Sequence, residues 1–179
     1  MKSITFITGN PSKAKELEYY LHIPISHHAL DLIEIQSINP REIIEYKTKE
    51  AYRLLETPVL VEDTSLCFHA LNALPGTFIK WFLQELGTKG LCRLLDGYED
   101  RTATAHTIYG LYDGKELVTF EGKAEGYIAK EPKGEGFGWN SIFIPEGYTQ
   151  TWGEMNQEEK DKTSMRKIAL NKLEKSLIR

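Results

Sequence analysis

The rhythm of apolar and polar positions changes several times along the chain, and each change predicts an element. Ser3 to Thr8 is β-branched and aromatic, the composition of a strand. Gly9 and Asn10 break it, and Pro11 to Leu21 follows as a helix, with Asn10 at the N-cap and Pro11 at the first helical position. Arg41 to Leu55 carries Ile43, Ile44, Ala51, Leu54 and Leu55 at helical spacing. Pro58 to Val61 is a short apolar run that predicts a buried strand, and Phe78 to Leu86 and Lys89 to Leu95 predict helices, with Gly87 and Gly97 near their ends. Thr102 to Tyr112 then alternates with period two, Asp113-Gly114 is a hairpin signal, and Leu117 to Ile128 returns as the partner strand. After a loop with Gly134, Gly136 and Gly138, Ser141 to Ile144 predicts one more strand, and Glu154 to Lys160 and Ser164 to Ile178 predict two closing helices. This interleaving predicts an α/β or α+β fold with a mixed sheet. Tyr19, Tyr20, Trp81 and Phe82 fall on helices and are expected in the core.

Length and composition narrow the class. A chain of 179 residues predicts one domain, or one domain with a lobe grown from it. With 41% hydrophobic residues, 27% charged residues and a net charge of −4, the disordered, collagenous and membrane classes are excluded. The first ten residues read as a strand rather than a signal peptide, so the expected location is a reducing cytoplasm. Cys67 and Cys92 lie in apolar surroundings and are expected as buried free thiols. Charge is uneven: seven Lys or Arg against two acids between Lys160 and Arg179 give +5, leaving −9 for the rest. A basic helix on an acidic body is a solvated face, an anion site or a nucleic-acid contact, but a dedicated DNA-binder is more basic overall.

Four segments can carry chemistry. In Thr8-Gly9-Asn10-Pro11-Ser12-Lys13, a glycine turn between strand and helix aims backbone N–H groups at an anion, although it is not a Walker A loop. Lys13 stands in the first helical turn against the helix dipole, so either solvent screens it or an anion compensates it. The plain alternative is an ordinary strand-to-helix turn with an exposed lysine. Glu62 and Asp63 follow an apolar strand, where open α/β sheets place ligands; the pair is a set of metal or base carboxylates, or a solvated strand end. Adjacent strand residues face opposite ways, so at most one of them enters a site directly. Gly134 to Asn140 interleaves glycines with Phe137 and Trp139, which suits a flat ligand or else a bulged loop with core aromatics. Lys160 and Ser164-Met165-Arg166 add a guanidinium fork in the basic tail. His22, His27, His28, His69 and His106 show no zinc spacing, with His27 and His28 expected in a loop or on a strand edge.

Read together, FITGNPSKAKELE, PVLVEDTSLCFHALNALPGTFIKWF, GFGWNSIF with PEGY, and the WGEM, EEK and SMR tail resemble the inosine-triphosphate pyrophosphatase family, non-canonical purine NTP pyrophosphatases, and most closely its eukaryotic branch. The resemblance covers nearly the whole chain. It implies one NTP pyrophosphatase domain over 1–179, an elongated α/β fold with two lobes around a mixed sheet and an active-site cleft between them, and a homodimer. The implied reaction is Mg²⁺-dependent hydrolysis, with Mn²⁺ as the alternative ion, of ITP, dITP or XTP to the monophosphate and pyrophosphate. The implied partner is the nucleoside triphosphate, with no nucleic acid and no membrane.

By the same resemblance Thr8, Asn10 and Lys13 meet the triphosphate, and Lys47, Lys80 and Lys160 are further substrate lysines. Glu34 and Asp63 are the metal positions, Asp63 is also the proton acceptor, and Glu62 stands beside it. Phe137, Gly138 and Trp139 match the base-pocket loop, and Arg166 the arginine that reads the purine carbonyl. Two positions depart from the family. Asn140, in Gly138-Trp139-Asn140-Ser141, stands where members have Asp, and Met165, in Ser164-Met165-Arg166, where they have His. An amide donates as well as accepts and a thioether offers no useful donor, so altered base selectivity is one expectation and neutral repacking the other. The contrasting class is a nucleotide-binding protein without turnover.

Overall fold

A computed structural model describes residues 4–21 and 26–177, so Ser3, His22 and Ile178 lie outside the described residues. β1 (Thr5–Ile7) leads to α1 (Pro11–Tyr20), whose N-cap Asn10 accepts through its side chain from the Ser12 amide. β2 (Ser26–His28) is an exposed edge strand bearing His27 and His28, parallel to β1 with Thr5 opposite Ser26. α2 (Pro40–Leu55) starts one residue before the expected Arg41, because Asn39 caps it through the Arg41 amide. β3 (Val59–Phe68) corrects the short strand expected at Pro58 to Val61. It runs through the two carboxylates because it pairs parallel with β1 in its first half and antiparallel with β4 (Pro75–Gly76) in its second.

α3 (Ile79–Arg93) joins the two expected helical stretches across a break at Gly87, where φ is 64° and ψ 177°. β5 (Thr102–Tyr112) and β6 (Leu117–Ile128) have the expected bounds and lie side by side. β7 (Phe143–Pro145) begins two residues later than expected and pairs antiparallel with β6. α4 (Gln157–Thr163) is shifted from the expected Glu154 to Lys160 by a capping box, in which Asn156 and Glu159 each bond the other's backbone N–H. α5 (Met165–Leu177) closes the described chain. The sheet runs β2-β1-β3-β5-β6-β7 with β4 on the far part of β3, so the expected mixed α/β arrangement is present. No helix among the described residues is long and apolar enough to cross a membrane.

Residues group into two compact units. The first takes Met1–Asp63, Thr107–Gly122 and Arg166–Arg179; the second takes Thr64–His106 and Lys123–Met165. In the first, period two sorts β3 onto two apolar clusters. Leu60 packs with Phe6, Leu17, Tyr109 and Leu170, while Val59 and Val61 pack with Ile44, Ala51 and Ile108. In the second, Leu66, Phe68, Leu91, Ala105, Phe143 and Trp152 belong to one core. The expected core placement fails for two aromatics, since Tyr19 is 52% and Trp81 51% exposed. Helical position alone does not say which side of a helix finds a partner. Cys92 is buried and Cys67 only partly so, and both are free thiols.

Candidate functional site

The first unit gathers most of the charged candidates around β3. Continuing the alternation past Leu60 and Val61, Glu62 and Asp63 project to opposite faces. Glu62 is 4% exposed. Its Oε1 accepts from Arg166 Nε at 2.9 Å and from the Thr107 hydroxyl at 3.2 Å, and lies 3.7 Å from Lys13 Nζ. Arg166 Nη1 also lies 3.0 Å from Glu16 Oε2, so two carboxylates fix the plane of its guanidinium. Lys13 and Arg166 each stand in the first turn of a helix, α1 and α5. The anion that compensates Lys13 against its helix dipole is therefore Glu62.

Burial pushes the Glu62 carboxyl up, but Arg166 and then Lys13 more than offset it, and the group is held below the ordinary glutamate range. Burial also lowers Lys13, against the pull of Glu62. Tyr109, fully buried near Glu62, has its phenol pushed well up by burial and by that carboxylate.

Asp63 faces α2. Lys47 Nζ lies 3.2 Å from Asp63 Oδ1 and 3.3 Å from Glu34 Oε1, so one ammonium bridges two carboxylates brought from β3 and from the segment before α2. Burial raises the Asp63 carboxyl above its ordinary value, and Lys47 only partly opposes it. Lys47 itself is lowered by burial but raised further by Asp63 and Glu34, so it stays a firm cation. Glu34 is 38% exposed in its side chain. Glu34, partly open to water, and the largely buried Asp63 form a hard oxygen set of the size that Mg²⁺ commonly takes from a protein, the remaining ligands being water and phosphate. Among the described residues no cluster of three or more His, Cys, Asp or Glu adds to them.

At the first turn, the Asn10 amide donates to Thr8 Oγ1 at 3.1 Å and the Ser12 amide to Asn10 Oδ1 at 3.0 Å, while Gly9 is exposed. Thr8 and Asn10 thus organise the turn that presents Lys13.

The second unit holds the remaining candidates. Lys80 is exposed on α3, its Nζ 4.8 Å from the centre of the Trp81 ring. Lys160 Nζ lies 5.8 Å from the centre of the half-buried Phe137 ring. Gly138 is exposed with φ at +66°, and a side chain there would meet nothing within 4 Å. Gly134 has a different reason for being glycine, since a Cβ would stand 2.2 Å from the Gly153 backbone. Trp139 is 7% exposed and stacks into an aromatic group, 5.9 Å from Phe143 and 5.7 Å from Trp152 between ring centres. Asn140 is 6% and Met165 1% exposed, and Met165 belongs to the same core.

The structure thus brings Lys13, Glu62 and Arg166 into one group and Glu34, Lys47 and Asp63 into another. The three residues that sequence reasoning missed are Glu16, Thr107 and Tyr109. Thr107 and Tyr109 carry polar atoms on the β5 face that Ala103 and Ala105 begin, and Glu16 follows Lys13 at i+3. A polar residue on an apolar face was the available signal.

Known proteins with this architecture are consistent in kind. The family model described as the Ham1 family matches residues 4–176. Inosine triphosphate pyrophosphatase 2 of Trypanosoma cruzi is 44% identical over 172 residues, covering 93% of this chain and 88% of its own. An inosine triphosphate pyrophosphatase of Yarrowia lipolytica is 45% identical over 177 residues, covering 96% and 93%. A solved HAM1 protein from Coxiella burnetii superposes with a TM-score of 0.86 over 99% of each chain, at 27% identity.

Proposed function

The chain belongs to the Ham1 family, and from that premise we propose that it hydrolyses non-canonical purine nucleoside triphosphates, ITP, dITP and XTP, to the monophosphate and pyrophosphate. The observation that carries this reading is the charge arrangement at β3, where Asp63 shares the Lys47 ammonium with Glu34 beside a second carboxylate, Glu62, held by Arg166 and Lys13.

A nucleoside triphosphate carries about four negative charges, which must be neutralised before an oxygen nucleophile approaches. Lys13 and Lys47 supply cations for it, and the Thr8–Asn10 turn positions Lys13. Glu34 and Asp63 would hold Mg²⁺ or Mn²⁺, which when bound supplies Lewis-acid neutralisation of phosphate charge. Asp63 accepts a proton from the attacking water. The water oxygen bonds to the α-phosphorus, the bond from that phosphorus to the bridging oxygen breaks, and pyrophosphate leaves with the electron pair. Glu62 stays ionised and holds Lys13 and Arg166 in place.

For the base, the reading assigns Arg166 to the purine carbonyl, and Phe137, Gly138, Trp139, Asn140 and Met165 to the base-binding residues, with Lys80 and Lys160 as further substrate lysines. Asn140 and Met165 make relaxed base selectivity the finer form of the proposal. Loss of a complementary partner in a hydrogen-bonding site removes on the order of a few kcal/mol of discrimination. Asn140→Asp, alone and with Met165→His, should sharpen preference for ITP or XTP over ATP, and unchanged kcat/KM ratios in both variants would remove this form. A homodimer in a reducing cytoplasm completes the reading; sedimentation of the purified protein checks the dimer.

The deciding assay is pyrophosphate release from ITP, XTP, dITP, ATP, GTP and CTP, with Mg²⁺ and with EDTA. Metal-dependent release favouring the 6-oxo purines is expected. Binding with no release from any of the six would replace this reading with a non-hydrolysing nucleotide binder.

A further inference from the structure

The bridging ammonium of Lys47 has a place in the geometry beyond contact with a phosphate. Its Nζ stands between Glu34 Oε1 and Asp63 Oδ1, at 3.3 and 3.2 Å, and its side chain is only 12% exposed. Three donors on one nitrogen leave it able to hold both carboxylates, and water competes for it poorly at that burial. The group of Glu34, Lys47 and Asp63 carries a charge of −1. A divalent cation drawn to the same two carboxylates meets a positive charge at close range, where Coulomb repulsion is strong. The lysine stem is long and flexible on a helical backbone, so its head can move while α2 stays fixed. Glu62, on the other face, is differently served, because Arg166 holds it as well as Lys13.

We propose that Lys47 couples cation binding to phosphate binding: its ammonium competes with a divalent cation for Glu34 and Asp63, and a phosphate that draws the ammonium away leaves both carboxylates to the metal. This rests on the proposed reading of Glu34 and Asp63 as the pair that takes the cation. By linkage, whatever factor the phosphate adds to metal affinity the metal adds to phosphate affinity. The protein then binds its metal weakly when alone and tightly when a phosphorylated ligand is present.

The test is Mn²⁺ binding to the purified full chain, read by electron paramagnetic resonance without nucleotide. Lys47→Met should bind Mn²⁺ roughly tenfold more tightly than the wild type, the effect that one neighbouring charge commonly has on a carboxylate's affinity for a proton. Lys47→Arg keeps the charge and should match the wild type, and Glu34→Gln added to Lys47→Met should remove the gain. Inorganic phosphate, corrected for free Mn²⁺, should tighten Mn²⁺ binding in the wild type and not in Lys47→Met. Circular dichroism checks that each variant folds, and Lys47→Gln substitutes if the Met variant does not.

Mn²⁺ binding that is unchanged or weaker in the charge-removing variant overturns the proposal, since Lys47 would then be a passive support. Absence of Mn²⁺ binding in both proteins overturns it too. Pyrophosphate release from ITP by the wild type, measured separately, shows whether the parent reading falls with it.

Discussion

Glu62 and Asp63 are neighbours on one strand, yet the two faces of β3 treat a carboxylate in opposite ways. On the Glu62 face a guanidinium, an ammonium and a hydroxyl converge on one oxygen, and the carboxyl is held below its ordinary range although burial pushes it up. On the Asp63 face one ammonium is shared with Glu34, and burial prevails. The difference teaches that burial does not by itself set the sign of a carboxyl's shift; how closely cations and hydrogen-bond donors meet it, against any nearby like charge, decides. The first face makes a permanent anion that positions other groups, and the second makes a carboxyl of raised proton affinity.

The sharpest way to break the comparison is Asp63→Asn. If Asp63 is the working base, pyrophosphate release should fall by roughly 10²- to 10⁴-fold with an unchanged far-ultraviolet spectrum. Retention of more than a tenth of the wild-type rate would make the two faces functionally alike. Next in size is Glu62→Gln, which leaves Lys13 and Arg166 buried beside a neutral amide. Breaking a buried ion pair from one side costs about 3 kcal/mol, measurable by urea unfolding, and a loss under about 1 kcal/mol would deny Glu62 its organising role.

The pH dependence of stability, measured in EDTA, sharpens the same contrast. Glu62 has a depressed folded-state pKa, so its contribution is present above the ordinary glutamate value of 4.5 and lost as pH falls through the folded value. Asp63 is raised, so from 3.8 up to its folded value the native state holds a proton that the unfolded chain has released, and stability falls as pH rises through that window. Glu62→Gln should flatten the acid-side loss, and an unaltered profile would contradict the assignment. The smallest effect belongs to Thr107→Val, which removes the hydroxyl donor on Glu62 and should cost about 1 kcal/mol, with Thr107→Ser restoring it.

Much of the fold was legible because it is locally encoded. The Asn10 cap with Pro11, the period-two run of β5 and the turn before β6 each lie within a few residues, and their elements appear with the expected bounds or nearly so. The capping box at Asn156 and Glu159 was also in the sequence, and its priority over Glu154 moved α4. β3 was underestimated because Glu62-Asp63-Thr64-Ser65 reads as a polar strand end, whereas cations and a paired strand carry it on to Phe68. Trp81 and Tyr19 were misplaced because spacing marks a helix without marking which side is covered.

The sequence by itself determined the mixed α/β order, the strand-to-helix turn that carries Lys13, and the opposition of Glu62 to Asp63, which follows from the pleat of any strand. Tertiary structure alone decided that Arg166 and Thr107, 104 and 45 residues from Glu62, share one of its oxygens, that Lys47 bridges Glu34 to Asp63, and that Trp139 and Met165 join the core of the second unit. Local geometry is set by torsions and neighbours within a few residues. The charge state of a buried carboxyl is set instead by every cation that folding brings within a few ångströms of it, and distance along the chain does not limit those cations.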